Sequence, residues 1–146
     1  MAHNAHPAKL VTQKQFGLPA IAFCAEAADE PGQVFAGLSD FSICRIDTSA
    51  ENVQPAAISE QRHASYVTGL VRVGDRLVSG SYDGSIIGWM VESGEVTRHI
   101  ENAHQRWIRS LAISRDGSKI ASVGDDMRTC LWDAQTLEQI AAWKDY

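Results

Sequence analysis

At 146 residues, 45% apolar and 21% charged, the chain has the length and hydrophobic content of one ordinary globular domain, which excludes disorder throughout. A formal charge of −5, with no Lys/Arg run longer than two, leaves no electrostatic footprint for nucleic acid or an anionic membrane as partner. No apolar stretch approaches the ~18 residues that span a bilayer, and MAHNAHPAKLVTQKQ lacks the apolar centre of a secretory signal.

Taken in chain order, residues 1–19 read as a polar leader carrying His3 and His6, in which KLVTQKQF (9–16) alternates and is a candidate outer strand. A first unit, 20–60, holds strands at about 20–26, 33–38, 42–47 and 53–58, with a wide loop at ADEPG (28–32). A second, 61–101, holds strands at 66–73, 76–81, 85–90 and about 95–100; Gly74-Asp75 makes its first turn and ESGE (92–95) its third. A third, 102–146, reads WIRSLAIS (107–114), RDGS as a turn, KIASVG (119–124), DDM as a turn, RTCLWD (128–133) and LEQIAAW (137–143). No stretch has helical periodicity. Each unit is a four-stranded antiparallel meander whose faces are both apolar or small, as in IRSLAIS, so each sheet needs cover on two sides. The next unit supplies that cover in a propeller or a face-stacked array.

His63, Ser79 and Asp83 are the residue types of a hydrolytic triad. The set recurs as His104, Ser122 and Asp126, and a tryptophan recurs with it, Trp89 and then Trp132. The Ser, Asp and Trp steps are each 43 residues and the His step 41; a weaker third copy places Ala36, Asp40 and Ile46 at the Ser, Asp and Trp positions. A triad is needed once per active site, whereas a set that repeats belongs to a structural unit. No catalytic residue is assigned. The cysteines, Cys24, Cys44 and Cys130, are odd in number, form no C-x-x-C pair and sit in apolar runs. They read as buried free thiols in a reducing compartment, hence a cytoplasmic protein, with no metal site and no cofactor. GDD (124–126) is no exception, because Asp125 alone is a poor ligand set.

The period and the late Trp-Asp at 132–133 make the chain resemble the WD40 repeat family over about 20–143. The fold implied is all-β: a partial β-propeller of three four-stranded antiparallel blades, the first degenerate. The family's Gly-His dipeptide reads Arg62-His63 and Ala103-His104 here, and its Trp-Asp reads Ile46-Asp47 and Trp89-Met90 in the earlier copies. The resemblance implies two hydrogen-bonded structural tetrads, His63–Ser79–Asp83–Trp89 and His104–Ser122–Asp126–Trp132. It also implies a partner-binding face at the first-strand starts and second turns: Tyr66, Thr68 and Tyr82 from the second unit, Trp107, Arg109 and Asp125 from the third. Tyr, Trp and Arg are the composition of binding hot spots. The function implied is a non-catalytic scaffold for a protein or peptide partner; the alternative is a sensory or accessory propeller fused to or partnered with an enzyme. Three blades do not close a ring and leave an apolar face open at each end. The expectation is therefore the N-terminal part of a longer propeller, or a partial propeller that completes itself with a second copy. In either case the leader is a candidate ring-closing outer strand.

Overall fold

The computed structural model describes residues 11–144; His3, His6, the first two residues of KLVTQKQF and the last two of the third unit lie outside the described residues. Twelve strands form three four-stranded sheets, each an antiparallel meander of consecutive strands. The first sheet is β1 (Ala22–Ala27), β2 (Gln33–Leu38), β3 (Ile43–Asp47) and β4 (Ala56–Ala57). The second is β5 (Val67–Val73), β6 (Arg76–Ser81), β7 (Ile86–Met90) and β8 (Val96–Ile100). The third is β9 (Ile108–Ile113), β10 (Lys119–Gly124), β11 (Arg128–Asp133) and β12 (Gln139–Lys144).

The sheets stack through two cores, one at each junction. Phe35 and Ile43 of the first meet Val67, Leu70, Leu77, Ile87 and Trp89 of the second. Val71, Val78 and Ile86 on the opposite face of the second meet Ile108, Leu111, Ile120, Cys130 and Trp132 of the third. Both faces of the middle sheet are thus buried, the reason its strands read as nearly continuous apolar runs. Each large side chain removed from water here is worth about 1.5–3 kcal/mol.

One of the expected strands is much shorter than expected. The fourth strand of the first unit, expected over 53–58, pairs only at Cys44↔Ala57 and Arg45↔Ala56. Pro55 directly precedes this pair, and a proline has no N–H to extend the ladder. Residues 11–16 of the leader belong to no sheet formed by this chain. Lys14 Nζ instead donates to the carbonyls of Thr48 (3.0 Å) and Ala50 (2.6 Å). Phe16, Leu18 and Ala20 lie on Ala36, Leu38, Cys44 and Ile46, covering part of the face of the first sheet that sequence analysis expects to be open.

The corresponding face of the third sheet is uncovered. The strand register puts Ser110, Ala112, Ala121, Val123, Thr129, Leu131, Ala141 and Trp143 on it. Val123 is 40% exposed and Trp143 53%. In the second sheet the same positions are Gly69, Val71, Val78, Gly80, Ile86 and Gly88, the surface on which the third sheet lies.

Two local devices recur in every sheet. At the start of the first strand the register slips by one residue, leaving Phe23, Thr68 and Arg109 as the unpaired residues of three β-bulges. A bulge re-aims the extra side chain, here at the same edge of each sheet. In the turn after the second strand the residue following the aspartate is left-handed: Phe41 (φ 74°), Gly84 (φ 81°) and Met127 (φ 58°). That turn aims a carbonyl at the next unit. Phe41 O accepts the His63 backbone N–H (3.2 Å), and Gly84 O accepts that of His104 (3.0 Å).

Candidate functional site

The repeated His/Ser/Asp/Trp sets come together in space as hydrogen-bonded chains. In the second sheet Ser79 Oγ accepts from Trp89 Nε1 (2.8 Å) and lies 2.7 Å from His63 Nε2. In the third, Ser122 Oγ accepts from Trp132 Nε1 (2.8 Å) and lies 2.7 Å from His104 Nε2. A serine that accepts from indole donates its one proton to the imidazole, so the other ring nitrogen, Nδ1, carries the hydrogen. For His104 that hydrogen goes to Asp126 Oδ1 at 2.8 Å. For His63 the nearer acceptor is Ser85 Oγ at 2.9 Å, with Asp83 Oδ2 at 3.3 Å.

Both aspartates also hold the loop that carries their histidine. Asp83 accepts the backbone N–H of Ala64 (2.8 Å) and Ser85 (2.7 Å). Asp126 accepts those of Gln105 (3.0 Å) and Arg128 (3.2 Å). Burial pushes the Asp83 carboxyl up, but the bonds to His63 and Ser85 outweigh it and hold its pKa well below the usual range. Asp126 shows the same balance, burial overcome by His104 and the Gln105 amide. The first sheet has no such set: Asp40 caps its own turn, accepting from Ser42 N (3.1 Å) and Oγ (2.6 Å).

Above these buried sets, at the edge carrying the bulges, a row of aromatic rings crosses all three sheets. Phe41 lies 5.8 Å from Tyr66, Tyr66 stacks on Phe23 (5.1 Å) and tilts against Tyr82 (5.7 Å), and Phe23 reaches Tyr82 at 6.3 Å. Tyr82 stacks on Trp107 at 4.6 Å with the planes 4° apart. The Arg109 guanidinium caps this stack, 5.0 Å from the Tyr82 centroid and 5.2 Å from that of Trp107. It is fixed there by a two-pronged bond to Asp125 (Nε–Oδ1 2.6 Å, Nη2–Oδ2 2.7 Å) and by a third bond from Nη1 to the Tyr82 hydroxyl. The bond to Arg109 keeps the Asp125 carboxyl below its usual range and raises the Arg109 pKa further. A cleft of about 400 Å³ opens beside the stack, lined by Tyr82, Asp83, Gln105, Arg106, Trp107 and Asp125.

The family described as "WD domain, G-beta repeat" matches residues 58–89 and 94–133, and each segment contains one complete His/Ser/Asp/Trp set. The chain belongs to the WD40 repeat family. Among its relatives, Nuclear distribution protein nudF of Emericella nidulans is 31% identical over 97 residues, 66% of this chain and 22% of that protein. Nuclear distribution protein PAC1-2 of Uncinocarpus reesii is 38% identical over 69 residues, 47% of this chain and 15% of that protein. The chain therefore spans less than a quarter of the length of either relative. In shape it is similar to the structure of U3-55K, with a TM-score of 0.75 over 90% of this chain and 41% of that one at 19% identity. The three sheets are blades of a WD40 propeller, a fold with no helix among the described residues.

On these WD40 blades five of the six face residues named from the sequence meet: Tyr66, Tyr82, Trp107, Arg109 and Asp125. Thr68 stands apart. Although it occupies the bulge position, its hydroxyl donates to the Ile108 carbonyl and ties the second blade to the third. Phe23 and Phe41 were missed because the first blade is degenerate in its tetrad. The signal was in reach: strand start, bulge and second turn in that blade give Ile21, Phe23 and Ser39, and Phe41 follows Asp40 as Gly84 follows Asp83. Ser85 was missed because only the middle copy has a hydroxyl acceptor beside its histidine there.

Proposed function

We propose that the chain is a non-catalytic interaction module, in which the two His/Ser/Asp/Trp tetrads are structural and the aromatic edge binds a protein or peptide. The observation that carries this reading is the contrast between the two sets. Each tetrad serine has its oxygen capped by an indole N–H and lies against an imidazole nitrogen, and both serines are fully buried. The aromatic row has the opposite character: Phe23, Tyr66 and Trp107 remain 44%, 39% and 49% exposed while already stacked and oriented. Rigid, half-exposed Tyr and Trp beside an anchored Arg lose little entropy on binding and dominate interface energies. The uncovered face of the third blade supports a second contact, with a further WD40 blade from a longer chain or from another copy. Three unpaired thiols, Cys24 raised by burial to about 12, suit a reducing compartment such as the cytoplasm.

The test is a Tyr66→Ala/Trp107→Ala variant compared with the unaltered chain for retention of a cross-linked partner in its own lysate. A loss of about tenfold with an unchanged melting temperature is expected. Undiminished retention would move the binding surface elsewhere. A fluorophosphonate should label neither Ser79 nor Ser122; stoichiometric labelling of either restores the hydrolase reading.

A further inference from the structure

We infer that the segment received by the aromatic row is an uncharged, proline-rich stretch in the polyproline II conformation, an inference that rests on the interaction reading above. The first argument is charge. Five uncharged rings, from Phe41 to Trp107, run between two ion pairs, Arg62–Asp40 (3.4 Å) at one end and Arg109–Asp125 (2.6 Å) at the other. Each pair cancels itself, so the rings themselves lie between self-compensated charges, and the exposed Arg106 in the cleft beside Trp107 adds a donor for the carbonyls of an uncharged ligand. An incoming cation finds the faces of Tyr82 and Trp107 occupied by Arg109, which it would have to displace from a two-pronged bond. The rings do not form a cage either. A cation sandwiched between two rings sits up to about 6 Å from each, a spacing that rings already 4.6–6.3 Å apart do not leave.

The second argument is hydrogen bonding. Along this edge the Tyr82 backbone N–H is spent on the Tyr66 carbonyl (3.0 Å) and that of Asp125 on the Trp107 carbonyl (2.9 Å). An added β-strand would find no ladder at these residues. The donors left are side-chain groups, among them the Tyr66 hydroxyl and the Trp107 indole N–H on half-exposed rings and the exposed Gln105 and Arg106 in the cleft beside Trp107. A polyproline II segment makes no internal hydrogen bonds, presents its carbonyls to such donors, and is stiff before it binds.

The third argument is spacing. Two steps along the row, 5.7 Å from Tyr66 to Tyr82 and 4.6 Å from Tyr82 to Trp107, approach the ~9 Å that three polyproline residues span. Side chains one turn apart on such a ligand therefore lie over rings two steps apart, Tyr66 and Trp107.

The experiment titrates a fluorescein-labelled decaproline peptide into the full chain and reads anisotropy, with glycine–serine and oligolysine peptides of equal length beside it. Decaproline should bind about tenfold more tightly than either. Trp107→Ala and Tyr66→Ala should each weaken it about tenfold, whereas Val11→Ala, on the exposed leader, should leave it unchanged. Should a row variant fail to fold, the indole N–H resonance of Trp107 in the unaltered chain serves instead, and it should shift on titration. No decaproline binding, equal glycine–serine binding, preference for oligolysine, or a Trp107 resonance that stays still while decaproline binds would each overturn the inference. If decaproline fails while the Tyr66/Trp107 variant still loses its lysate partner, the ligand class is wrong and the face is right. If that variant keeps its partner as well, both readings fall.

Discussion

His63 and His104 have the same indole-capped serine on one nitrogen and different neighbours on the other. His104 Nδ1 depends on Asp126 alone, while His63 Nδ1 has Ser85 at 2.9 Å and Asp83 only at 3.3 Å. Removing the carboxylate therefore has unequal effects. Asp126→Ala leaves a buried imidazole N–H without an acceptor and should destabilise the fold by about 2–3 kcal/mol; Asp83→Ala leaves Ser85 in place and should lose about 1 kcal/mol. Paired thermal melts check the order, and equal losses would show that the loop amides, not the histidines, set the contribution. The same carboxylates govern the acid limb of stability. Both have folded-state pKa values depressed below the ordinary one, so the unfolded chain binds their protons first. Their contribution is complete above the unfolded value near ~4 and is lost as pH falls through the lower folded values. Denaturant titrations should show a decline below about pH 4, shallower in Asp126→Asn.

At the scale of elements, what was legible in the sequence was what repeats. β6, β10 and β11 fall where their β-branched runs and turn residues place them, because the same pattern at 43-residue spacing removes the ambiguity of any one short apolar run. The tetrad residues were named on the same ground, and the structure brings each set within hydrogen-bonding distance. The parts that depend on one copy were not legible. Alternation in the leader suggests an outer strand, whereas the contact of Phe16, Leu18 and Ala20 with the apolar face of the first sheet carries no repeat signal. The short β4 follows from Pro55, a local veto that pattern counting under-weights. The left-handed turn residue is the element whose energetics can be tested most directly. Gly84 sits at φ 81° with its missing Cβ only 2.5 Å from the His104 carbonyl, so Gly84→Ala should cost about 2 kcal/mol or more. Met127 holds the equivalent place at φ 58° while 60% exposed, so Met127→Gly should relieve strain without losing packing and stabilise by about 0.5–1 kcal/mol. Chemical denaturation of the two variants gives the signs, and a destabilised Met127→Gly would mean that this side chain packs in a way its exposure does not suggest.

At the scale of the whole molecule, the two ends of the blade stack are unequal. Sequence analysis expects both to be open, but one is partly covered by Phe16, Leu18 and Ala20, whereas the third-blade face presents Val123, Leu131, Ala141 and Trp143. Uncovered apolar area is worth about 25 cal/mol per Å² to any surface that removes it from water. A polypeptide of these 146 residues should therefore associate through its third blade as concentration rises. Trp143→Asp or Val123→Lys should suppress that association, while Val11→Lys, a change on the exposed leader, should not. Concentration-dependent light scattering distinguishes these outcomes, and suppression by the leader change instead would place the contact at the first blade.

The same arrangement sorts the four indoles into two optical classes. Trp89 and Trp132, 1% and 3% exposed and bonded to serine oxygens, emit from a dry interior, while Trp107 and Trp143, at 49% and 53%, emit from water. Acrylamide should quench the second pair and spare the first until the sheets separate. Of the quenchable pair, one indole lies on the aromatic edge and the other on the open blade face. In Trp143→Phe the loss of quenching on adding a ligand then reports occupancy of the edge; in Trp107→Phe it reports occupancy of the face. The protein thus carries a built-in emitter for each of its two exposed surfaces and a separate pair for its interior, so binding, assembly and unfolding can be followed without a label.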